Sequence, residues 1–184
     1  EEASKSINVD AVIRSGITRF SDEIGKLWCR LANYYTRMGQ FERSRDIYEE
    51  GINSVITVRD FTIIFDSYVK FEEGILTAKM RMNEDEEETE DMNEDLDLRL
   101  ARLEYLLDKR PMLLNGVALR QNPHNISEWH KRIKLLQDDL PKVAVTYAEA
   151  LKTVDPRKAS GKLSGLWLSF ANFYDKHNDL ENAR

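Results

Sequence analysis

A single cysteine, Cys29, excludes an internal disulfide framework and fits a reducing compartment such as cytosol or nucleus. Four prolines and eight glycines are too few for a loop-rich fold. No apolar run approaches the roughly 18 residues that span a bilayer, so no membrane partner is expected, and no secretory leader is read. Catalytic signatures are missing as well: there is no Gly-rich phosphate loop, HExxH, CxxC or GxSxG motif. His124 and His130 fall on different faces of a helix that covers both, so joint metal ligation is not expected. His177 lies near a helix C-terminus, where a partly cationic ring suits the macrodipole. The expectation is a non-enzyme with no metal, no cofactor and no small-molecule substrate.

What the chain has in their place is repetition. The stretch from Trp28 to Arg45 aligns without a gap on that from Trp167 to Arg184, with Trp, Ala, Asn, Tyr, Glu and Arg identical. Trp28, Leu31, Ala32, Tyr35 and Met38 recur at the spacing of one helical stripe. Gly39 breaks that helix in the left-handed conformation, and Asn178 takes its place in the second copy. Phe41, Tyr48, Ile52 and Val55 form a second stripe after a break too short for anything but an antiparallel pair.

Two further units lie between the copies. Phe61, Ile64, Phe65, Tyr68 and Phe71 repeat the first stripe, followed by Leu96, Leu100, Leu103 and Leu107 ahead of Pro111. Trp129, Ile133 and Leu136 lead the next unit, and Val143, Tyr147, Ala150, Leu151 and Val154 complete it. Pro141 suits a first helical turn, and Asp155-Pro156 ends the helix. Repetition of this kind predicts an all-α fold, a right-handed superhelical solenoid of antiparallel helix pairs, and such proteins mostly bind macromolecules. The expected division is 8–20 as the end of a preceding repeat, with Val9, Val12, Ile13, Ile17 and Phe20 inward. A repeat over 22–55 follows, then one over 57–110 interrupted by an acidic loop at 83–95. An extra segment and a repeat occupy 111–155, and 163–184 starts a further repeat. Neither end reads as a polar cap, so the sequence is taken as a window on a longer array, residues 1–184 being part of one series.

Charge is unevenly placed. Glu84 to Asp97 holds ten acidic residues and no basic one, in a chain of net charge −6. Such a block is expected to stay solvated as an insertion between helices; its rival reading is a dock for a basic partner. It lacks the glycine and ligand order of an EF-hand loop. Basic residues gather at Lys109-Arg110, at Lys131, Arg132 and Lys134, and at Arg157, Lys158 and Lys162. They read as a solvated helix face, with weak RNA or partner contact through Lys131, Arg132 and Lys134 as the alternative.

The Trp-x2-Leu-Ala-x-Tyr-Tyr helix followed by Phe-Glu-x-x-Arg-x-Ile-Tyr-Glu resembles the half-a-tetratricopeptide (HAT) repeat of RNA-processing scaffolds. Longer words are similar to the Syf-type pre-mRNA splicing factors, also called XPA-binding proteins. They include Arg43 to Glu50, Thr57-Val58-Arg59-Asp60-Phe61, Phe65-Asp66-Ser67-Tyr68 and Arg110-Pro111-x-Leu113-Leu114-Asn115. Leu119-Arg120-Gln121-Asn122-Pro123-His124, Glu128-Trp129-His130-Lys131-Arg132 and Thr153-Val154-Asp155-Pro156 complete the set, and the acidic block departs from it. The resemblance implies a nuclear, non-catalytic spliceosomal scaffold. Its implied partners are other spliceosomal proteins, those of the nineteen complex and the intron-binding helicase module, with family links to transcription and transcription-coupled DNA repair. It offers no catalytic residue. The framework it shares with the stripes is Trp28, Tyr35, Phe61, Tyr68, Trp129, Trp167 and Tyr174. A HAT scaffold of 3′-end cleavage or ribosome assembly, and a tetratricopeptide co-chaperone gripping peptide tails, are the competing readings.

Overall fold

The computed structural model describes residues 8–20, 22–84 and 90–177, the side chains of residues 82–84 and 90–93 excepted. The described residues form helices α1 Val9–Arg19, α2 Ile24–Arg37, α3 Phe41–Ser54, α4 Val58–Glu84, α5 Glu90–Gln121, α6 Ile126–Leu135, α7 Leu140–Thr153 and α8 Leu163–Lys176. They contain no strand, only a parallel bridge between Asn125 and Ser160. The chain divides into two units, Glu1–Arg110 and Pro111–Arg184.

In the first unit α2 is the centre, with α1, α3 and α4 all packed on it. Trp28, Leu31, Ala32 and Tyr35 are buried along its stripe, while Met38 is 59% exposed at its end. Gly39 turns the chain into α3 at φ 73°, the left-handed conformation that its spacing predicts. Tyr48, Ile52 and Val55 are buried from α3 and its C-cap; Phe41, expected inside, is 46% exposed. From α4 come Phe61, Ile64, Phe65 and Tyr68, all buried. Thr57 caps α4: its hydroxyl accepts the Asp60 N–H at 3.1 Å. Asp60 is itself buried and accepts the Gly25 N–H at 3.1 Å, joining the N-termini of α2 and α4.

Four expectations are corrected here. The inward stripe on α1 buries nothing completely, and Val12 and Phe20 are 60% and 63% exposed. Polar contacts hold this helix instead: Arg14 reaches Glu50 of α3 at 2.6 and 2.7 Å, and Tyr35 donates to Asp10 at 2.6 Å. The acidic block is helical over much of its length, since α4 runs to Glu84 and α5 starts at Glu90; residues 85–89 lie outside the description. Helical backbone satisfies its own hydrogen bonds, and Asp95 gains Lys79 at 3.4 Å and Arg99 at 3.0 Å, which offsets repulsion within the block. Finally, α5 does not stop before Pro111 but contains it. Proline removes one ladder donor and crowds the preceding turn, and the two units meet in sequence at this Arg110–Pro111 bond. Of the expected leucine stripe on α5 only Leu103 is buried; Leu100 and Leu107 are 43% and 45% exposed.

The second unit packs α6, α7 and α8 around Leu119, Ile126, Trp129, Val143, Tyr147, Ala150, Val154 and Leu166. Asn125 and Asp139 cap α6 and α7 by accepting backbone N–H groups at 3.1 and 3.2 Å, and Pro141 sits in the first turn of α7 as expected. Helix α7 ends at Thr153, ahead of Asp155-Pro156.

Candidate protein-interaction surface

The aromatic framework does structural work in both units. A side-chain carbon added at Gly51 would lie 3.0 Å from the Trp28 ring, so glycine is what lets α3 lie flat on that indole. Tyr48 and Tyr68 stack with centroids 5.1 Å apart, Tyr68 donates to Glu49 at 3.2 Å, and burial pushes both phenols well above their ordinary range. Phe61 stacks on Phe65 at 5.4 Å. In the second unit the Trp129 indole N–H donates to the Pro123 carbonyl at 2.8 Å, and Tyr147 stacks on Phe170 at 4.9 Å.

Trp167 departs from its expected place: it is 58% exposed, and Leu166 is the buried residue on α8. Trp28 is covered by Gly51 of α3, the second helix of its pair. The second helix expected after Trp167 was placed on residues that, with Asn178, lie outside the description. Tyr174 is half-buried against Phe170, its ring 4.8 Å away.

Lys131 and Lys134 are exposed on α6 and Arg132 is half-buried. Lys131 is bound to Glu128 at 2.6 Å. The charge of Arg132 helps to lower the pKa of Arg120, behind the larger effect of burial. His124 and His130 do not share a helix. His124 lies in the turn before α6 and accepts the Asp155 N–H on Nδ1 at 3.2 Å, while His130 is on the helix. His177 meets the Phe173 carbonyl at 2.6 Å at the end of α8. Among the described residues no group of three or more His, Cys, Asp or Glu could hold a metal ion, and no helix is long and apolar enough to cross a membrane.

Two features escape a reading by apolar period. One is the buried pair of Arg45 on α3 and Glu72 on α4, with Nε–Oε1 at 2.5 Å and Nη2–Oε2 at 3.1 Å; Glu42 also contacts the guanidinium. Arginine and glutamate in a charged run look like a solvated face, and only their positions on facing helices reveal the pair. The other is a groove of about 1110 Å³ in the first unit, between the end of α2, α3, α4 and Arg99 of α5. Its apolar lining includes Phe41, Tyr48, Phe71, Ile75 and Ala78, and its charged lining includes Arg43, Lys70, Lys79 and Arg99.

Consecutive helices packed on one another, with Trp28, Phe61 and Trp129 buried near the starts of α2, α4 and α6, define an all-α helical-repeat protein. Residues 1–154 match the family described as pre-mRNA-splicing factor SYF1 middle HAT repeat. The chain belongs to that SYF1 HAT-repeat family. It is 54% identical over 180 residues to the pre-mRNA-splicing factor SYF1 of Homo sapiens, covering 98% of this chain and 21% of that protein. The Drosophila melanogaster syf1 homolog is 52% identical over 180 residues, 97% of this chain and 20% of its own length. The Neurospora crassa syf1 is 51% identical over 182 residues, with 97% and 22% covered. The chain spans about a fifth of the length of the curated relatives it matches.

Proposed function

We propose that this chain is a non-catalytic scaffold segment acting in pre-mRNA splicing in the nucleus, holding other spliceosomal proteins on its helix pairs. The observation that carries the reading is the family match over residues 1–154, joined to relatives named as pre-mRNA-splicing factors over nearly the whole of this chain. The geometry supports it, because the chemistry-bearing side chains are engaged in packing and capping: Asp60 and Asp139 at helix starts, Glu72 on Arg45, His124 on a backbone amide. At the finer level, the sequence words shared with the Syf factors favour partners in the nineteen complex and the helicase module, and extend to the family's links with transcription and DNA repair.

Affinity purification of the tagged chain from nuclear extract, followed by mass spectrometry, tests the reading. Spliceosomal proteins should co-purify, and the purified chain should show no nuclease, ATPase or hydrolase turnover. Recovery of 3′-end cleavage or ribosome-assembly factors in their place would overturn the assignment. RNA contact through Lys131, Arg132 and Lys134 is a minor component of this proposal. Charge reversal there should change RNA retention modestly and with a salt dependence set by few phosphates; loss of tight, sequence-selective RNA binding would replace the scaffold with an RNA reader.

A further inference from the structure

Glycine inside a helix costs about 1 kcal/mol relative to alanine, and a packed neighbour is the usual compensation. Gly51 has that compensation in Trp28, 3.0 Å from where its side-chain carbon would be. Gly74 does not. It lies within α4, and a carbon added there would meet nothing within 4 Å among the described residues.

The open space above Gly74 is the groove. Along α4 the lining follows one helical face through Lys70, Phe71, Gly74, Ile75 and Ala78 to Lys79. From Ser67 to Lys79 that face is about 18 Å long, some three helical turns. Its opposite wall is Phe41, 46% exposed, with its ring 6.4 Å from that of Phe71. Aromatic walls around a small-residue floor let a second helix approach to the short end of the usual interaxial range, about 8 Å.

Charge decides what kind of helix fits. Among the described residues the lining carries five cations, Arg43, Arg45, Lys70, Lys79 and Arg99, against one anion, Glu42. With Glu72 and Asp95 set against their partners, the cations are still in excess by two, on a chain of net charge −6. Lys70 has no ion pair among the described residues. We infer that this groove receives an acidic amphipathic helix from a protein partner, its apolar face between Phe41, Phe71 and Ile75 over Gly74 and its carboxylates on Arg43, Lys70, Lys79 and Arg99. The inference rests on the scaffold reading and gives it a docking site.

The test uses the full chain and two labelled peptides of about 14 residues, each helical with leucine on one face, one flanked by glutamate and the other by lysine. Fluorescence anisotropy should show the glutamate peptide binding, the lysine peptide at least about tenfold weaker, and the affinity falling with salt. Gly74→Leu fills the groove without straining the helix, so it should abolish binding while keeping or raising the thermal midpoint. Lys70→Glu should weaken binding without unfolding. Unchanged binding by Gly74→Leu, equal binding of the lysine peptide, or no binding by the unaltered chain would each overturn the inference. So would binding that emerges only after Asp85, Glu86, Glu87 and Glu88 are changed to Gln, because the chain's own acidic stretch would then be the occupant. A chain that loses the peptide yet still co-purifies with splicing proteins leaves the scaffold reading standing; one that binds the peptide but recovers no splicing protein does the reverse.

Discussion

Removing one partner of the Arg45–Glu72 pair should be among the most damaging single changes in the first unit. Both side chains are buried, 5% and 3% exposed, and they meet through two hydrogen bonds. In Glu72→Ala the guanidinium keeps the Phe71 ring at 5.8 Å and Glu42, whose side chain is 78% exposed and therefore well screened. An uncompensated buried charge costs about 3–5 kcal/mol, which for a unit of this size lowers the melting midpoint by roughly 12–20 °C. Changing both partners to apolar residues of similar volume, Arg45→Met with Glu72→Leu, should recover most of that loss, because the desolvation of two charges disappears with them. Urea titration followed by far-ultraviolet circular dichroism gives the four corners of the cycle, and hydrogen exchange shows whether the damage stays on α3 and α4. A Glu72→Ala penalty under about 1 kcal/mol would refute the argument. So would a double variant as unstable as the single, since packing and not charge would then set the cost.

Trp129→Ala should cost about 3–5 kcal/mol and remove protection mainly within the second unit, whereas Trp129→Phe should lose chiefly the bond to the Pro123 carbonyl; hydrogen exchange separates the two. The hydrogen bond from Tyr35, helped by Arg14, holds the Asp10 carboxyl below the usual carboxylate range. A depressed folded value gives stability that is fully present above the unfolded value of about 3.9 and is lost as pH falls through the folded one. Protection of α1 should therefore be constant at neutral pH and fall below about pH 4, with Tyr35→Phe moving that loss to higher pH. Burial raises the Cys29 thiol pKa, so it should react with a disulfide reagent only as fast as the unit opens; prompt labelling of the folded chain would contradict its placement. Replacing 85–89 with a Gly/Ser linker should leave the melt nearly unchanged. Extending the replacement to Asp95 should be destabilising, because it puts glycine into α5 and removes the carboxylate shared by Lys79 and Arg99.

The sequence made helix pairs legible because a helical period needs only apolar spacing. Trp28, Leu31, Ala32 and Tyr35, or Phe61, Ile64, Phe65 and Tyr68, could be placed inward without knowing their neighbours. The same reasoning misplaced Phe41, Val12 and Trp167, where burial depends on what lies opposite rather than on the residue itself. It also ended a helix at Pro111, where proline chemistry permits a break and α5 continues on apolar contacts beyond it, Val117 and Leu119 being buried. The groove was invisible for a related reason. Phe71 and Ile75 fit an inward stripe in one dimension, yet both are only half-buried and line the groove. Gly74, isolated in a strong helical pattern, was the local sign that could have pointed there.

Apolar stripes say that helices pack; they say little about which helix meets which, or in what register, because aromatic and aliphatic surfaces tolerate some sliding. Directional groups do not. The stretches that resemble splicing factors most specifically are where those groups sit. Thr57 to Asp60 caps α4 and fastens it to Gly25; Arg43 to Glu50 supplies Arg45 to Glu72 and Glu50 to Arg14. Asn115 donates to the Glu128 backbone carbonyl at 2.8 Å, fixing α5 against α6. In the Asn122-Pro123-His124 turn, Asn122 accepts the His124 N–H, Pro123 accepts from Trp129, and His124 accepts from the amide of Asp155. Each of these words ties elements distant in sequence, which a substitution preserving hydrophobicity alone would release. In this chain the leading aromatics pack helix on helix, and these polar contacts fix which helix meets which and in what register.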